Sequence, residues 1–345
     1  MDGYKIKYNG IDRLYNDYSW RLNRRAKQVW NTGQVLQGQY LTELETTIAK
    51  KYKREYAVGV ASATDGLFFA MKSLGIGTGH TVMCPVLSYK ATSGAIKRTG
   101  ANVQYVDTDK YGNIGDLEYK EVPDAVLYVN LFGNTAQYDT LKTYCTKHKI
   151  PLIEDAAQSQ GASYKRIPSG KLGDVSVFSF DPMKNMPSFG GGGMVLTDNK
   201  EQYNKIISLR KSEMYNSLIA EDHANQLLLI LDKFDKLQRA RKKVYKRYKD
   251  NMPNCTFLID ESEKPSYHKL VMLTDNRDEL ALFLTKNGIE TKVHYSKILD
   301  DKKVGDFQYP MAEGMCQKVL SLPIYPHLKF EEVDYICETI GKFNV

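Results

Sequence analysis

The chain has 345 residues, of which 42% are hydrophobic and 26% charged, with a formal net charge of +7. This composition excludes a disordered or fibrous chain, and the length calls for a large unit with its own core plus a smaller one. No apolar run reaches the length of a membrane span, and the opening Met1-Asp2-Gly3-Tyr4-Lys5 lacks the apolar stretch of a signal peptide, so a cytoplasmic location is expected. Cys84, Cys145, Cys255, Cys316 and Cys337 are widely spaced, which suits a reducing compartment and forms neither a disulfide framework nor a zinc motif. The positive residues are mixed with acids, and the densest basic run, residues 239–249, has the spacing of a solvated helix face. A nucleic-acid footprint needs clustered charge, so a small anionic substrate accounts better for the balance.

In chain order, residues 63–74 read as a helix that stops at Gly75, with Gly77 and Gly79 close behind. Residues 81–85 read as a strand, 90–99 as a helix, 102–107 and 124–131 as strands, 140–149 as a helix, and 151–155, 175–180 and 193–197 as strands. Strand and helix in alternation imply a mostly parallel sheet covered on both faces. Beyond Thr197 the pattern changes. Residues 221–249 form one long helix without internal Gly or Pro, amphipathic after Leu227. A strand (269–273), a helix (277–286), a strand (291–295) and a helix (330–343) follow as a smaller α+β unit. The boundary is placed on the long helix near residue 235, giving domains 1–235 and 236–345. The run Gly75-Ile76-Gly77-Thr78-Gly79 does not signal a dinucleotide site, because it precedes a strand instead of joining a strand to a helix.

Two residues stand out chemically. Lys184 follows a strand ending in Phe178-Ser179-Phe180 and a break at Asp181-Pro182, which puts an amine at the rim of the sheet. Taken alone it reads as a surface-loop lysine. Asp155 ends the apolar run Pro151-Leu152-Ile153-Glu154, at the carboxyl end of a strand where open α/β sheets place ligands. Taken alone it is equally a cap for the segment Ala156-Ala157-Gln158.

Glu154-Asp155-Ala156-Ala157-Gln158, Gly173-Asp174, Phe178-Ser179-Phe180, Lys184-Asn185 and Phe189-Gly190-Gly191-Gly192-Gly193 occur in that order. Together they resemble the core of the DegT-type sugar aminotransferases, pyridoxal 5'-phosphate (PLP) enzymes of the aspartate-aminotransferase fold, fold type I. The resemblance runs nearly the whole chain. It takes in Gly38-Gln39-Tyr40-Leu41-Thr42-Glu43-Leu44-Glu45 and Ala57-Val58-Gly59-Val60 near the start. Near the end it takes in residues 288–295 and Val319-Leu320-Ser321-Leu322-Pro323-Ile324-Tyr325-Pro326. It implies an α/β fold: a three-layer large domain with a mostly parallel sheet, plus a smaller C-terminal α+β domain.

PLP chemistry needs an amine to hold the cofactor, a carboxylate to keep the pyridine nitrogen protonated, a clamp for the ring, and donors for the phosphate. The resemblance implies that Lys184 holds the cofactor as a Schiff base and moves the proton, that Asp155 pairs with the ring nitrogen, and that Gln158 reaches the ring hydroxyl. It assigns the phosphate to Ser179 and to the amides of Ala63 and Thr64 at a helix start, where an anion is favoured; the alternative is a plain helix cap. Ala63 stands where the family usually has glycine. Tyr89 is the aromatic that stacks on the ring. Asn216 is implied to reach the phosphate of a neighbouring subunit, so a homodimer with shared active sites is expected, although Leu218 and Ala220 replace the family's arginine and aspartate nearby. Leu87 replaces an aromatic, Asn130 replaces a frequent histidine, and Gly191 replaces a common acid; Leu87 and Asn130, with His294, are the expected substrate contacts. His294 is equally open to a purely structural hydrogen-bonding role.

The activity implied is transfer of an amino group from L-glutamate, through the pyridoxamine 5'-phosphate form, to a keto-deoxysugar carried on a nucleotide diphosphate. The Pro182-Met183-Lys184-Asn185 loop and the glycine run after Phe189 resemble members acting at sugar C3 more than those acting at C4. Sugar dehydratases of the same fold carry histidine in place of the lysine, so Lys184 argues against that reading. A non-catalytic PLP-binding sensor or inactive homologue remains the alternative.

Overall fold

The computed structural model describes residues 3–117, 121–135, 137–212, 214–300 and 308–343. The first half of the chain forms α1 (Ile11–Trp30), α2 (Gln39–Lys51), β1 (Tyr56–Val60), α3 (Ala63–Ser73), β2 (Thr81–Pro85), α4 (Ala91–Thr99), β3 (Asn102–Val106), β4 (Ala125–Val129), α5 (Tyr138–His148) and β5 (Leu152–Asp155). A short hairpin, β6 (Ser163–Tyr164) and β7 (Ile167–Pro168), leads to β8 (Val175–Ser179), β9 (Gly193–Thr197) and α6 (Lys200–Lys211). The rest is α7 (Glu221–Asn251), β10 (Leu270–Leu273), α8 (Arg277–Lys286), α9 (Pro310–Lys318), β11 (Val319–Leu322) and α10 (Phe330–Phe343).

Seven strands make one sheet in the order β1-β9-β8-β5-β4-β2-β3. From β8 to β3 all pairings are parallel, whereas β9 runs antiparallel to both β1 and β8. Strands β4, β8 and β9 are buried at every residue, as strands covered on both faces must be. Alternation along each strand divides the contacts. Val175, Val177 and Val195 pack with the α3 and α4 layer, while Phe178, Met194 and Leu196 pack with α1, α2 and α7. These are the three expected layers. In α1, Leu14, Tyr18, Leu22, Ala26 and Val29 recur at three- and four-residue spacing and form its buried stripe. Helix α2 has no side-chain cap of its own. The buried Glu221 carboxylate at the start of α7 accepts instead from the amides of Gly38 (2.8 Å), Tyr40 (2.9 Å) and Leu41 (3.2 Å).

Helix α7 joins two cores. Its residues through Leu237 pack with the large sheet, and Val244, Tyr245 and Tyr248 pack with β10, β11, α8 and α10. The expected division at residue 235 falls on this helix. Ile6, near the start of the chain, packs in the second core and bridges to Ile289, so the chain's first segment sides with the C-terminal unit. The strand expected at residues 291–295 is not formed. Only Lys292 bridges to Ser321, after which the chain turns toward the large sheet and carries His294 and Tyr295 with it. Among the described residues, no helix is long and apolar enough to cross a membrane.

Candidate active site

Parallel strands deliver their carboxyl ends to one edge of the sheet, and a cleft of about 520 Å³ lies there. β5 contributes Asp155 as its last residue and β8 contributes Ser179. Beyond Ser179 the chain turns through Asp181 and Pro182, with the Lys184 amide donating to the Asp181 carbonyl (2.9 Å), and the Lys184 side chain enters the cleft. On the other side α3 opens at Ala63 and Thr64, capped by Ser62 Oγ, which accepts from the Asp65 amide (3.1 Å). First-turn amides of a helix have no intrahelical acceptor, so this wall offers donors. Glycines let β9 come close: a Cβ on Gly193 would lie 2.7 Å from the Ala63 nitrogen.

Asp155 is buried and held from two directions. Its Oδ1 accepts from the Ala157 amide (3.1 Å) and its Oδ2 from Thr92 Oγ1 (3.3 Å). Burial raises its pKa; the Ala157 amide, the Lys184 charge and the Thr92 hydroxyl oppose that rise. Loss of hydration lowers the Lys184 amine, against the pull of Asp155 and Asp181. Next to Asp155 in the chain, Glu154 is fully buried on the opposite side of β5. It accepts from Asn130 Nδ2 (2.9 Å), Ser169 Oγ (2.8 Å), Ser176 Oγ (2.6 Å) and the amides of Gly170 and Leu172, which fixes the strand from behind.

The structure brings Ala63, Thr64, Tyr89, Asp155, Gln158, Ser179, Lys184 and His294 to this one cleft. Gln158 accepts from the Phe132 amide (3.1 Å), which leaves its Nε2 directed to Tyr295 Oη (3.4 Å). Tyr89 is half exposed, with its ring 6.5 Å from that of Tyr295. His294 Nδ1 meets Ser321 Oγ at 2.9 Å, and burial, then Lys269 and Lys184, push its pKa far below the ordinary value, so the imidazole is neutral.

Three expected residues lie elsewhere. Leu87 does not line the cleft: it is fully buried in an apolar cluster with Val86, Leu131 and Phe132, because the chain after β2 turns that side chain inward and Tyr89 outward. Asn130 does not line the cleft either. It is fully buried and spent on Glu154 and Ser169, beneath the cleft floor. Asn216 is exposed, with a left-handed φ of 40°, and lies outside this chain's own cleft. The neighbouring Ser217 hydroxyl ties that loop to α3 through Asp65 (2.7 Å) and the Ala61 amide (2.9 Å).

Thr92, Tyr295 and Lys269 were not singled out from sequence. Thr92 and Tyr295 lie inside motif segments, but their partners Asp155 and Gln158 are distant in the chain. Lys269 reads as an ordinary polar residue opening the expected strand 269–273, and only the packing of the second unit puts it in the cleft.

Residues 18–341 match the DegT/DnrJ/EryC1/StrS aminotransferase family. The chain is 29% identical to a pleiotropic regulatory protein of Geobacillus stearothermophilus, over 96% of this chain and 97% of that protein. It is also 29% identical to the UDP-2-acetamido-2-deoxy-3-oxo-D-glucuronate aminotransferase of Pseudomonas aeruginosa, over 93% of this chain and 95% of the enzyme. The crystal structure of S. venezuelae DesV in complex with a ketimine intermediate superposes with a TM-score of 0.93 at 27% identity, covering 98% of each chain. The order of motifs, the sheet and these matches agree: the chain belongs to the DegT/DnrJ/EryC1/StrS aminotransferase family.

Proposed function

We propose that this protein is a PLP-dependent aminotransferase that moves an amino group from L-glutamate to a nucleotide-linked keto-deoxysugar, with C3 the position aminated. The observation that carries it is the meeting of Lys184 and Asp155 in one cleft, each within the other's field, with donors on the α3 wall. The C3 preference is supported by the 3-oxo sugar named for the Pseudomonas relative.

The residues fit the cofactor. Asp155, fixed by Thr92 and Ala157, offers a buried carboxylate of the kind a protonated ring nitrogen requires. Tyr89 and the apolar Val129 and Ala157 offer the ring surfaces, Gln158 Nε2 a donor to the ring hydroxyl, and Ala63, Thr64 and Ser179 the phosphate donors. When bound, PLP supplies the electron sink that makes the proton next to the nitrogen acidic. Lys184 anchors the cofactor by its amine and afterwards, freed, accepts and returns that proton. Loss of hydration lowers its pKa, which favours the free base that proton transfer requires. Neutral His294 and Tyr295 bound the mouth where a sugar hydroxyl would be held. Asn216, exposed on its tight loop, would serve a second copy's cofactor if the protein forms the homodimer we propose.

The test is to load the protein with PLP, add L-glutamate and follow the absorbance, then supply nucleotide-linked 3-keto and 4-keto sugars and weigh the product. A visible band that glutamate bleaches, that Lys184→Ala lacks, and that leads to an aminated 3-keto sugar is the expected result. A parent without a band, or one indistinguishable from Lys184→Ala, rejects the reading. The regulatory relative motivates a second reading, a PLP-binding sensor; a glutamate-responsive band with no product from any keto-sugar selects it.

A further inference from the structure

We propose that Lys269 is the residue of the cleft that receives a substrate carboxylate. The inference deepens the aminotransferase reading and rests on it. Lys269 stands just before β10, its amide donating to the Phe132 carbonyl (3.2 Å), and only 5% of the residue is exposed. Its side chain passes over the Tyr8 ring (Nζ 5.6 Å from the centroid) and lines the cleft at the strand ends beside Lys184, His294 and Tyr295. Among the described residues, no carboxylate comes within ion-pair distance of its ammonium.

Behind Lys269 lies a second, smaller cavity of about 40 Å³, which shares Met183, Lys184 and Lys269 with the cleft. Its walls also carry buried Arg241 and His268 but neither Asp nor Glu. Arg241 Nε and His268 Nε2 have no hydrogen-bond partner there, although Arg241 Nη1 donates to the Ile324 carbonyl (2.7 Å) and His268 Nδ1 meets Asn185 Oδ1 (3.0 Å). Buried cations without internal counter-charge are costly, so the fold alone gives no reason for Lys269. A ligand that brings the negative charge does. The α3 amides already provide for a phosphate on the opposite wall, and a single ammonium backed by a space this small suits a monoanionic, planar carboxylate. That group is either a carboxylate of the amino donor and its keto acid, or an acid on the sugar ring.

The two sources separate in one experiment. Titration calorimetry on PLP-loaded enzyme, which has no amine to transfer to these ligands, would measure 2-oxoglutarate, UDP-glucuronate and UDP-glucose against the parent, Lys269→Met and Lys269→Gln. Lys269→Arg would serve as the charge-retaining variant. We expect both neutral variants to bind one of the two acids about ten-fold more weakly or worse. UDP-glucose should change less than two-fold, and Lys269→Arg should recover part of the loss. Weakening of 2-oxoglutarate assigns the site to the donor, and weakening of UDP-glucuronate alone assigns it to the sugar. Unchanged affinity for both acids, or an equal loss with UDP-glucose, overturns the proposal. The Lys184-dependent band is recorded for every variant. Its presence with unchanged affinities removes Lys269 alone, whereas its absence in the parent removes the aminotransferase reading.

Discussion

Asp155 and Lys184 follow adjacent parallel strands, β5 and β8, and reach the same cleft, where each carries the other's charge as a component of its own pKa. Burial raises the pKa of one and lowers that of the other, and the charge of each opposes the shift of its partner. Asp155→Asn keeps the shape and the Thr92 contact but removes the charge. It should leave the fold intact and lower the glutamate half-reaction by about 10²-fold or more, measured in single turnover by the decay of the absorbance band.

Asn130 and Glu154 give the contrasting case. Asn130→Ala deletes one donor to a fully buried carboxylate and should cost about 1–3 kcal/mol in denaturant unfolding. Because Asn130 lies beneath the cleft floor, the KM for the sugar should change less than two-fold. A large rise in KM with stability unchanged would return Asn130 to the substrate.

Lys269 links function to stability with a definite sign. Burial, then the charges of Lys184 and Arg241, lower its pKa to about 7, against a small opposing pull from Asp181. A free lysine chain titrates near ~10.4. The unfolded chain therefore binds the proton more tightly, and the native state loses stability as pH falls from about 10 to about 7, with the loss complete below that. Lys269→Met should be more stable than the parent by up to a few kcal/mol, with an advantage that grows across that window and then levels off. Thermal unfolding of cofactor-free protein from pH 6 to pH 10 checks it. A constant gap across that range rejects the linkage.

Glu221 holds two helices with one carboxylate, capping α2 from the start of α7. Glu221→Ala removes the acceptor for three amides and should destabilise the protein by about 2 kcal/mol; Glu221→Gln, which keeps one oxygen, should cost less. Denaturant midpoints at constant slope distinguish loss of the cap from a change in the compactness of the unfolded chain.

Local pattern was enough to read the alternating strands and helices from residue 63 to 197 and the long α7, because burial on both faces and helical spacing write themselves into short windows of sequence. Lys184 and Asp155 stood at strand ends, where a parallel topology delivers chemistry, but it was the order of family motifs around them that singled them out. The burial of Leu87 and Asn130 was not legible because a strand end offers two directions, into the core or into the cleft, and only the packing of the second unit and the Glu154 network decide between them. Residues 291–295 have a strand's composition, but one bridge to Ser321 is all that β11 leaves them, and the chain bends to carry His294 and Tyr295 to the cleft. Sequence by itself determined a mostly parallel sheet and most of its strand ends, and it named the lysine–aspartate pair through the order of family motifs. Tertiary structure alone decided which side chains share the cleft, Lys269 above all, because the charge a residue faces depends on segments far away in the chain and not on its neighbours in it.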